Sequence, residues 1–306
     1  MDGIEMLSRA REGDRRALAR LLRIVEDGRE GAPEAVAEAW RLRPNSHLIG
    51  ITGAPGAGKS TLTNALIGTW RAVDRRVGVV AVDPSSPFTG GALLGDRIRM
   101  QEHVSDPEVF VRSMSSRGRL GGLADATAGI ATVLQAARFD PVVIETVGVG
   151  QSEVDIIHHA DTVVVVLNPG WGDDVQADKA GILEVGDVFV INKADRPGTD
   201  EARRWLKAML QMAPTSDWKP PVVETVATEG RGIEELVDVL DRHRRHLTVT
   251  DEGRLRRRQR ARRYIEWALA RAATARVSTP DLDGVLDAVV AGKLDPWTAA
   301  DQLLGS

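Results

Sequence analysis

The segment GAPGAGKST, residues 53–61, limits the possible folds more than any other part of this 306-residue chain. It matches the pattern G-x-x-x-x-G-K-[ST] in full, directly after the apolar run HLIGIT and directly before a stretch with helical spacing. In such a strand–loop–helix unit, glycines let backbone N–H groups converge on phosphate oxygens, Lys59 reaches the β- and γ-phosphates, and Ser60 holds Mg²⁺. The two flanking elements argue against a chance glycine turn. We therefore predict a phosphate-binding loop formed by Gly53, Ala54, Pro55, Gly56, Ala57, Gly58, Lys59, Ser60 and Thr61.

Short apolar runs alternate with helical stretches from residue 47 to about residue 240. The runs lack strict alternation, which is typical of strands covered on both faces: HLIGIT, VGVVAVD, VFVRS, PVVIET, DTVVVVLN, DVFVIN and PVVETVA. This pattern predicts an α/β fold, a doubly wound and mostly parallel sheet of the P-loop NTPase type, with ligands beyond the carboxyl ends of its strands.

Helical extensions are predicted on both sides of this domain. Before it, Leu18, Leu21, Leu22 and Val25 recur at helical spacing among charged residues. After it, the chain becomes all-helical, beginning with the arginine-dense stretch DEGRLRRRQRARRYIEWALARAATARV. The predicted division is an N-terminal extension at 1–44, a nucleotide domain at 45–246 and a C-terminal extension at 247–306.

The composition is typical of a soluble globular protein, with 42% hydrophobic and 27% charged residues. A formal net charge of -4 gives no global attraction to nucleic acid or anionic membranes. The chain has no cysteine, which excludes disulfides and thiolate chemistry and fits the cytoplasm. No targeting segment or membrane span is visible. We expect a cytoplasmic protein without nucleic-acid or membrane partners.

The segment DVFVINKAD carries the residues that select the base. The carboxylate of Asp195 can accept hydrogen bonds from N1–H and the exocyclic amine of guanine, whereas adenine presents a lone pair at that ring nitrogen. Asn192 either bonds the other edge of the base or ties loops together, and the stem of Lys193 can cover the ring. In VETVA, at Val226 and Ala227, a backbone N–H could bond the guanine carbonyl oxygen, although an ordinary turn fits equally well. The predicted ligands are GTP and GDP.

Acidic residues between these two motifs are candidates for Mg²⁺ binding. Asp83 ends one apolar run, Asp96 lies in the loop after it, and Glu145 ends the run PVVIET. Gly148, in an E-x-x-G pattern where D-x-x-G is familiar, can donate its N–H to the γ-phosphate. Gln151 invites comparison with water-positioning glutamines, but its spacing does not secure that role. Asp83 and Asp96 also fit solvated loop acids. The predicted metal ligands are Ser60, Asp83, Asp96 and Glu145, and the predicted catalytic residues are Lys59, Asp96, Glu145 and Gly148.

The ordered segments of the whole chain resemble one family. GAPGAGKST, VDPSSPFTGGALLGDRIRM, GRLGGL, ETVGVGQSE, LNPGWGDDVQADK, NKAD and GKLDPWTAADQLL are similar to the MeaB family, also called ArgK, GTPases associated with methylmalonyl-CoA mutase. The resemblance implies a homodimeric GTPase that guards an adenosylcobalamin-dependent acyl-CoA mutase, assisting cofactor loading and the exchange of damaged cofactor. Adenosylcobalamin belongs to the partner mutase. We expect slow basal hydrolysis that the partner stimulates, and dimerisation through the C-terminal extension.

Residue roles also follow from the resemblance. It implies Lys59 and Ser60 at phosphate and Mg²⁺, Asp83 and Glu145 around the metal, Asp96 in hydrolysis, and Asn192 and Asp195 on guanine. It further implies an additional switch at 169–179, which contains Trp171, Asp174 and Lys179. Which acyl-CoA mutase is the partner stays open.

Three other functions fit the sequence less well. A metallochaperone GTPase would need soft or imidazole-rich ligands, but cysteine is absent and the adjacent His158 and His159 face opposite ways if extended. A nucleic-acid or membrane binder could use residues 254–263, but the stretch is short and has no aromatic platform beyond Tyr264. Some relatives of the family are labelled transport-system kinases, but no residues build a second substrate pocket.

Overall fold

All seven apolar runs form strands of one sheet in the computed structural model, which describes residues 1–43, 46–83, 103, 105–115, 122–146, 159–170, 186–212, 217–277 and 279–305. The strands are β1 Leu48–Gly53, β2 Val77–Asp83, β3 Val109–Ser115, β4 Val142–Thr146, β5 Thr162–Leu167, β6 Val188–Asn192 and β7 Val222–Thr225. Their order is β3-β2-β4-β1-β5-β6-β7, and every pairing between them is parallel. The predicted α/β class and the positions of the strands are confirmed.

Burial explains why the strands lack a polar face. Every residue of β1, β4, β5 and β6 is buried, and β-branched Val and Ile fill most of their positions. Among the described helices, crossovers between parallel strands are supplied by α4 Lys59–Arg71, α5 Gly122–Ala136 and α6 Thr199–Met212, and α7 Ile233–Val249 follows the last strand. One core cluster joins α4, α6 and α7 to the central strands through Ile51, Leu62, Leu66, Trp70, Leu206, Leu236 and Leu240.

The N-terminal residues form three helices, α1 Gly3–Arg11, α2 Arg15–Asp27 and α3 Ala32–Leu42, which pack against one another and against α5. Helix α2 begins at a side-chain cap, since Asp14 Oδ1 accepts hydrogen bonds from the backbone N–H groups of Arg16 and Ala17. It ends at Gly28, whose φ of 63° suits a glycine C-cap. Its four predicted apolar residues are buried, so the amphipathic interpretation is confirmed.

The C-terminal residues form α8 Asp251–Arg276, α9 Thr279–Val290 and α10 Pro296–Gly305. The chain divides into two units, Met1–Arg254 and Leu255–Ser306. The domain boundaries given above, at 44–45 and 246–247, stay predictions. Among the helices that the structure describes, none combines the length and the apolar character that crossing a membrane would need.

The amino edge of the sheet holds a buried chain of polar side chains. His47, just before β1, places Nε2 2.6 Å from Thr162 Oγ1 at the start of β5. The same hydroxyl lies 2.7 Å from Nδ1 of His243, on α7. Burial lowers the pKa of His47 to about 4, and nearby Arg244 acts in the same direction, while Asp161 opposes it.

This lowered pKa predicts a loss of stability in acid. The unfolded chain protonates His47 near its usual pKa of 6.5, whereas the folded chain protonates it only near a pKa of about 4. Neutral His47 therefore costs no stability above pH 6.5, and the free energy of unfolding falls as pH drops from 6.5 to about 4. We expect the free energy of unfolding to drop by roughly 3 kcal/mol from this group. Urea unfolding of the native protein and of His47→Gln between pH 7 and 4 measures this drop in the free energy of unfolding, with His103→Gln as the control. Equal pH slopes for the native protein and His47→Gln would contradict the assignment.

Candidate nucleotide site

The predicted phosphate loop connects β1 to α4, and its glycines occupy backbone conformations that other residues rarely adopt. The φ angles of Gly53, Gly56 and Gly58 are 135°, 72° and 92°. A Cβ on Gly53 would lie 2.0 Å from the carbonyl oxygen of Val166 in β5. A Cβ on Gly58 would lie 2.4 Å from Asn192 Nδ2. Glycine is therefore required where the loop passes close to neighbouring strands.

Gly53→Ala should destabilise the protein strongly. The change adds a strained φ to a clash with backbone, and we expect a loss of about 3 kcal/mol or more in the free energy of unfolding. Gly68→Ala is the matched control, because Gly68 is exposed in α4 and a Cβ there meets nothing within 4 Å. That variant should gain up to ~1 kcal/mol from helix propensity. Chemical denaturation measures the free energy of unfolding of both variants. Equal values would contradict the predicted crowding at Gly53.

Two predicted phosphate and metal residues are buried at the start of α4. Lys59 Nζ donates hydrogen bonds to the carbonyl oxygens of Gly53 and Ala54, at 2.8 and 3.0 Å. The hydroxyl of Ser60 donates to Glu145 Oε1 at 2.5 Å. Glu145 reaches this position because β4 pairs directly with β1, where it lies opposite Ile51. A buried hydroxyl and carboxylate beside a phosphate loop fit the oxygen ligands that Mg²⁺ prefers.

Asn192, at the end of β6, joins three segments. Its Nδ2 donates to the carbonyl oxygen of Ala57 in the phosphate loop at 2.9 Å. Its Oδ1 accepts from Thr225 Oγ1 at 3.1 Å and from the backbone N–H of Ala227 at 3.2 Å. The structure thus gives Asn192 the loop-tying role. The Ala227 N–H, which we predict for the guanine carbonyl, donates to Asn192 in this arrangement, and Val226 beside it is buried.

Lys193 and Asp195 lie in the turn that follows β6. Lys193 has a φ of 60°, and its Nζ donates to the carbonyl oxygen of Gly56 at 2.7 Å, a second tie to the phosphate loop. The turn is closed by a hydrogen bond from the N–H of Arg196 to the carbonyl oxygen of Lys193 at 3.0 Å. Asp195 is exposed, so its carboxylate is accessible to a ligand at the carboxyl edge of the sheet.

The remaining predicted residues divide into two groups. Asp83 is at the carboxyl end of β2, in register with Ser115 of β3. Asp96, Gly148, Gln151, Trp171, Asp174 and Lys179 lie outside the described residues. Of the predicted switch at 169–179, the structure describes Pro169, whose carbonyl oxygen accepts a hydrogen bond from Asn168 Nδ2 at 3.1 Å, and Gly170, with a φ of 86°.

Sequence reasoning gave the tying of loops as one alternative for Asn192, but it named no partner for this residue and no such role for Lys193. The bonds from Asn192 to Ala57 and from Lys193 to Gly56 join parts of the chain that are far apart in sequence. The signal that could have found them is the parallel sheet itself, because it brings the ends of β1 and β6 to one edge.

Comparison with known proteins places this site in a family context. A family model described as "Methylmalonyl Co-A mutase-associated GTPase MeaB" matches residues 18–280. A Pyrococcus abyssi protein classed as a GTPase is 47% identical over 98% of this chain and 95% of its own length. A 205-residue region is 39% identical to part of the fused isobutyryl-CoA mutase of Cupriavidus metallidurans, which spans 65% of this chain and 18% of that protein. The crystal structure of a LAO/AO transport system kinase aligns with a TM-score of 0.71 and 26% identity, over 98% of this chain and 95% of that one.

Proposed function

The chain belongs to the MeaB family of methylmalonyl-CoA mutase-associated GTPases, and from this premise we propose that it hydrolyses GTP to GDP and phosphate to control a partner mutase. The observation that carries the proposal is the joined edge of the sheet. Asn192 and Lys193 tie the turn bearing Asp195 to the phosphate loop, and the Ser60–Glu145 pair lies at the end of that loop.

The phosphate loop binds the phosphates of GTP and supplies positive charge for hydrolysis. Backbone N–H groups of the loop and the amino end of α4 face the phosphates, and the Lys59 amine exchanges its two carbonyl partners for phosphate oxygens. Ser60 and Glu145 would hold Mg²⁺, which supplies charge neutralisation on the phosphates when it is bound. We assign Asp83 to the metal's surroundings, Asp96 to hydrolysis and the N–H of Gly148 to the γ-phosphate.

The base is selected in the turn after β6, which lies at the same edge of the sheet as the phosphate loop. The exposed carboxylate of Asp195 accepts the N1–H and the exocyclic amine of guanine, and the stem of Lys193 lies against the ring. Because Lys193 also bonds Gly56, the turn that reads the base is fixed to the loop that holds the phosphates.

The partner is an adenosylcobalamin-dependent acyl-CoA mutase. The description of the family supports this assignment, as does a fused isobutyryl-CoA mutase that carries a region similar to this chain in the same polypeptide. We propose that GTP binding and hydrolysis gate the loading of adenosylcobalamin into the mutase and the exchange of damaged cofactor. The protein acts as a homodimer through residues 247–306, and its basal hydrolysis is slow.

The test is GTP hydrolysis by the purified protein with and without methylmalonyl-CoA mutase or isobutyryl-CoA mutase. One of the two should raise the rate. Asp174→Ala and Lys179→Ala, in the switch at 169–179, should leave GDP affinity within a few-fold but weaken the stimulated rate by at least ~10-fold. An equal proportional loss of basal and stimulated rates would assign the loop to the chemistry itself. Absence of any stimulation by either mutase would overturn the partner assignment.

The structural similarity to a protein described as a transport system kinase gives a second candidate, phosphoryl transfer to another protein. GTP labelled at the γ-phosphate separates the two. Release of all label as inorganic phosphate supports the GTPase, whereas stable label on a protein supports the kinase.

A further inference from the structure

A second group of ligating side chains lies at the amino edge of the sheet, away from the phosphate loop. Asp187 immediately precedes β6, His243 belongs to α7, and Glu252 lies in the first turn of α8. One ligand atom from each of the three lies within 4.8 Å of the other two. His243 Nε2 is 3.7 Å from Asp187 Oδ1. This separation is too long for a hydrogen bond, but it is close to the ~3.4 Å between two ligands of one tetrahedral ion with bonds of about 2.0–2.1 Å.

Neighbouring groups orient the two buried members of this cluster. Asp187 Oδ2 accepts the backbone N–H of Val163 at 2.8 Å, which aims Oδ1 at His243. On the other side of the imidazole, His243 Nδ1 contacts Thr162 Oγ1, which also contacts His47. The Thr162 hydroxyl has one proton, so when it donates to His47 it accepts the Nδ1–H of His243. In that arrangement Nε2 of His243 offers a lone pair to the cluster, as in metal sites where the second ring nitrogen is hydrogen-bonded.

The third member is brought into place by the corner between α7 and α8. Thr250 ends α7, with its N–H and its hydroxyl both donating to the carbonyl oxygen of His246. Gly253 lies so close to α7 that a Cβ there would be 1.7 Å from the carbonyl oxygen of Leu247. This tight corner turns Glu252 back towards α7, where its Oε2 lies 3.1 Å from His246 Nε2.

The cluster is enclosed on most sides and is more exposed on the side of Glu252. The side chains of Asp187 and His243 are 5% and 0% exposed, whereas Glu252 is 25% exposed. The indole of Trp218 lies 4.6 Å from the ring of His243, and its Nε1 donates to the carbonyl oxygen of Asp187 at 2.8 Å. A small ion can therefore enter past Glu252 and be shielded from water on the other sides.

We propose that Asp187, His243 and Glu252 bind one divalent transition-metal ion of the Zn²⁺ class, at a site separate from the nucleotide. Two carboxylates balance the charge of the ion, and an imidazole ligand favours Zn²⁺ over Mg²⁺ or Ca²⁺, which prefer oxygen ligands alone. The ion would join the start of β6 to the corner between α7 and α8. The site is thus a structural clamp for the amino edge of the sheet.

The experiment is calorimetric titration of the full-length, nucleotide-free protein with Zn²⁺ in excess Mg²⁺, which occupies oxygen-only sites. We expect one equivalent of Zn²⁺, and visible absorption from the protein when Co²⁺ is used in its place. Glu252→Gln, at the most exposed ligand, should weaken Zn²⁺ binding at least ~10-fold, and His243→Gln and Asp187→Asn should weaken it further. Control variants are Glu145→Gln, which alters the Mg²⁺ residues of the nucleotide site, and His103→Gln, a histidine outside the cluster. Both controls should bind Zn²⁺ as the native protein does.

The role of Thr162 gives an independent measurement. Thr162→Val keeps the side-chain shape but removes the contact to His243 Nδ1, so we expect Zn²⁺ affinity to fall by about 10-fold. Thr162→Ser keeps the hydroxyl and should restore the affinity. A purely structural role for this hydroxyl would lower the melting temperature of Thr162→Val without changing the Zn²⁺ affinity of the folded protein.

Two outcomes would overturn the proposal. If the folded native protein binds no Zn²⁺ at 100-fold excess, the cluster of Asp187, His243 and Glu252 is not a Zn²⁺ site. If Zn²⁺ binds equally well to Glu252→Gln and His243→Gln, the ion is held elsewhere. Thermal unfolding of each variant identifies those that remain folded, and Glu252→Gln decides the question if the buried variants do not fold.

Discussion

Asp195→Asn should shift the preference of the protein from GTP towards xanthosine triphosphate. In the contact that we propose, the carboxylate accepts two guanine N–H groups, and a site built around such paired bonds rejects a ligand that lacks them by ~10⁴-fold or more. Asparagine replaces one acceptor with an N–H donor, which suits the C2 carbonyl of xanthine. The change in preference is measured by competition, in which each triphosphate displaces a fluorescent GDP analogue from the native protein and from the variant.

The control for this change is Asp200→Asn, a second exposed aspartate at the start of α6. It removes the same charge from the same region of the surface without touching the predicted base contact. Its GTP preference should match that of the native protein. Unchanged GTP affinity in Asp195→Asn would contradict the assignment of this residue to guanine.

Lys59→Ala should reduce GTP turnover by about 10³-fold, because we propose that its amine stabilises charge that develops during phosphoryl transfer. Some GDP affinity should survive, since the backbone N–H groups of the loop remain. Single-turnover hydrolysis with saturating GTP separates the chemical step from binding.

An exposed lysine gives the matched control for Lys59. Lys207, in α6, is exposed, and Lys207→Ala should retain the full rate. Hydrolysis at the native rate by Lys59→Ala would refute the phosphate-loop interpretation. Loss of folding in that variant is checked by circular dichroism, because Lys59 also holds the carbonyl groups of Gly53 and Ala54.

Local patterns carried most of the fold prediction. Uninterrupted apolar runs such as VVVVL in β5 predict buried parallel strands, because they leave neither face of the strand polar. The phosphate loop is also predictable from a local pattern, because its glycines and Lys59 all fall within nine residues. The α2 helix was predictable from the spacing of its leucines.

Contacts between distant segments were not predictable in this way. The Asn192–Ala57 bond depends on β6 ending beside the loop after β1, and the order of strands cannot be read from any one run. The cluster of Asp187, His243 and Glu252 combines residues before a strand, within a helix and after a helix corner. Neither feature has a local spacing rule.

The position of β1 in the sheet has a consequence for synthesis of the chain on the ribosome. β1 is complete at residue 53, but its two neighbours begin at residues 142 and 162. At a translation rate of ~5–20 residues per second, the nascent strand waits several seconds with both edges open. Open strand edges invite pairing with other chains, so this interval is when a holding chaperone is most useful. The ties from Asn192 to the phosphate loop and to Ala227 form later still, because they require almost the whole sheet. This edge of the sheet is therefore complete only in a chain that has been translated at least to Ala227.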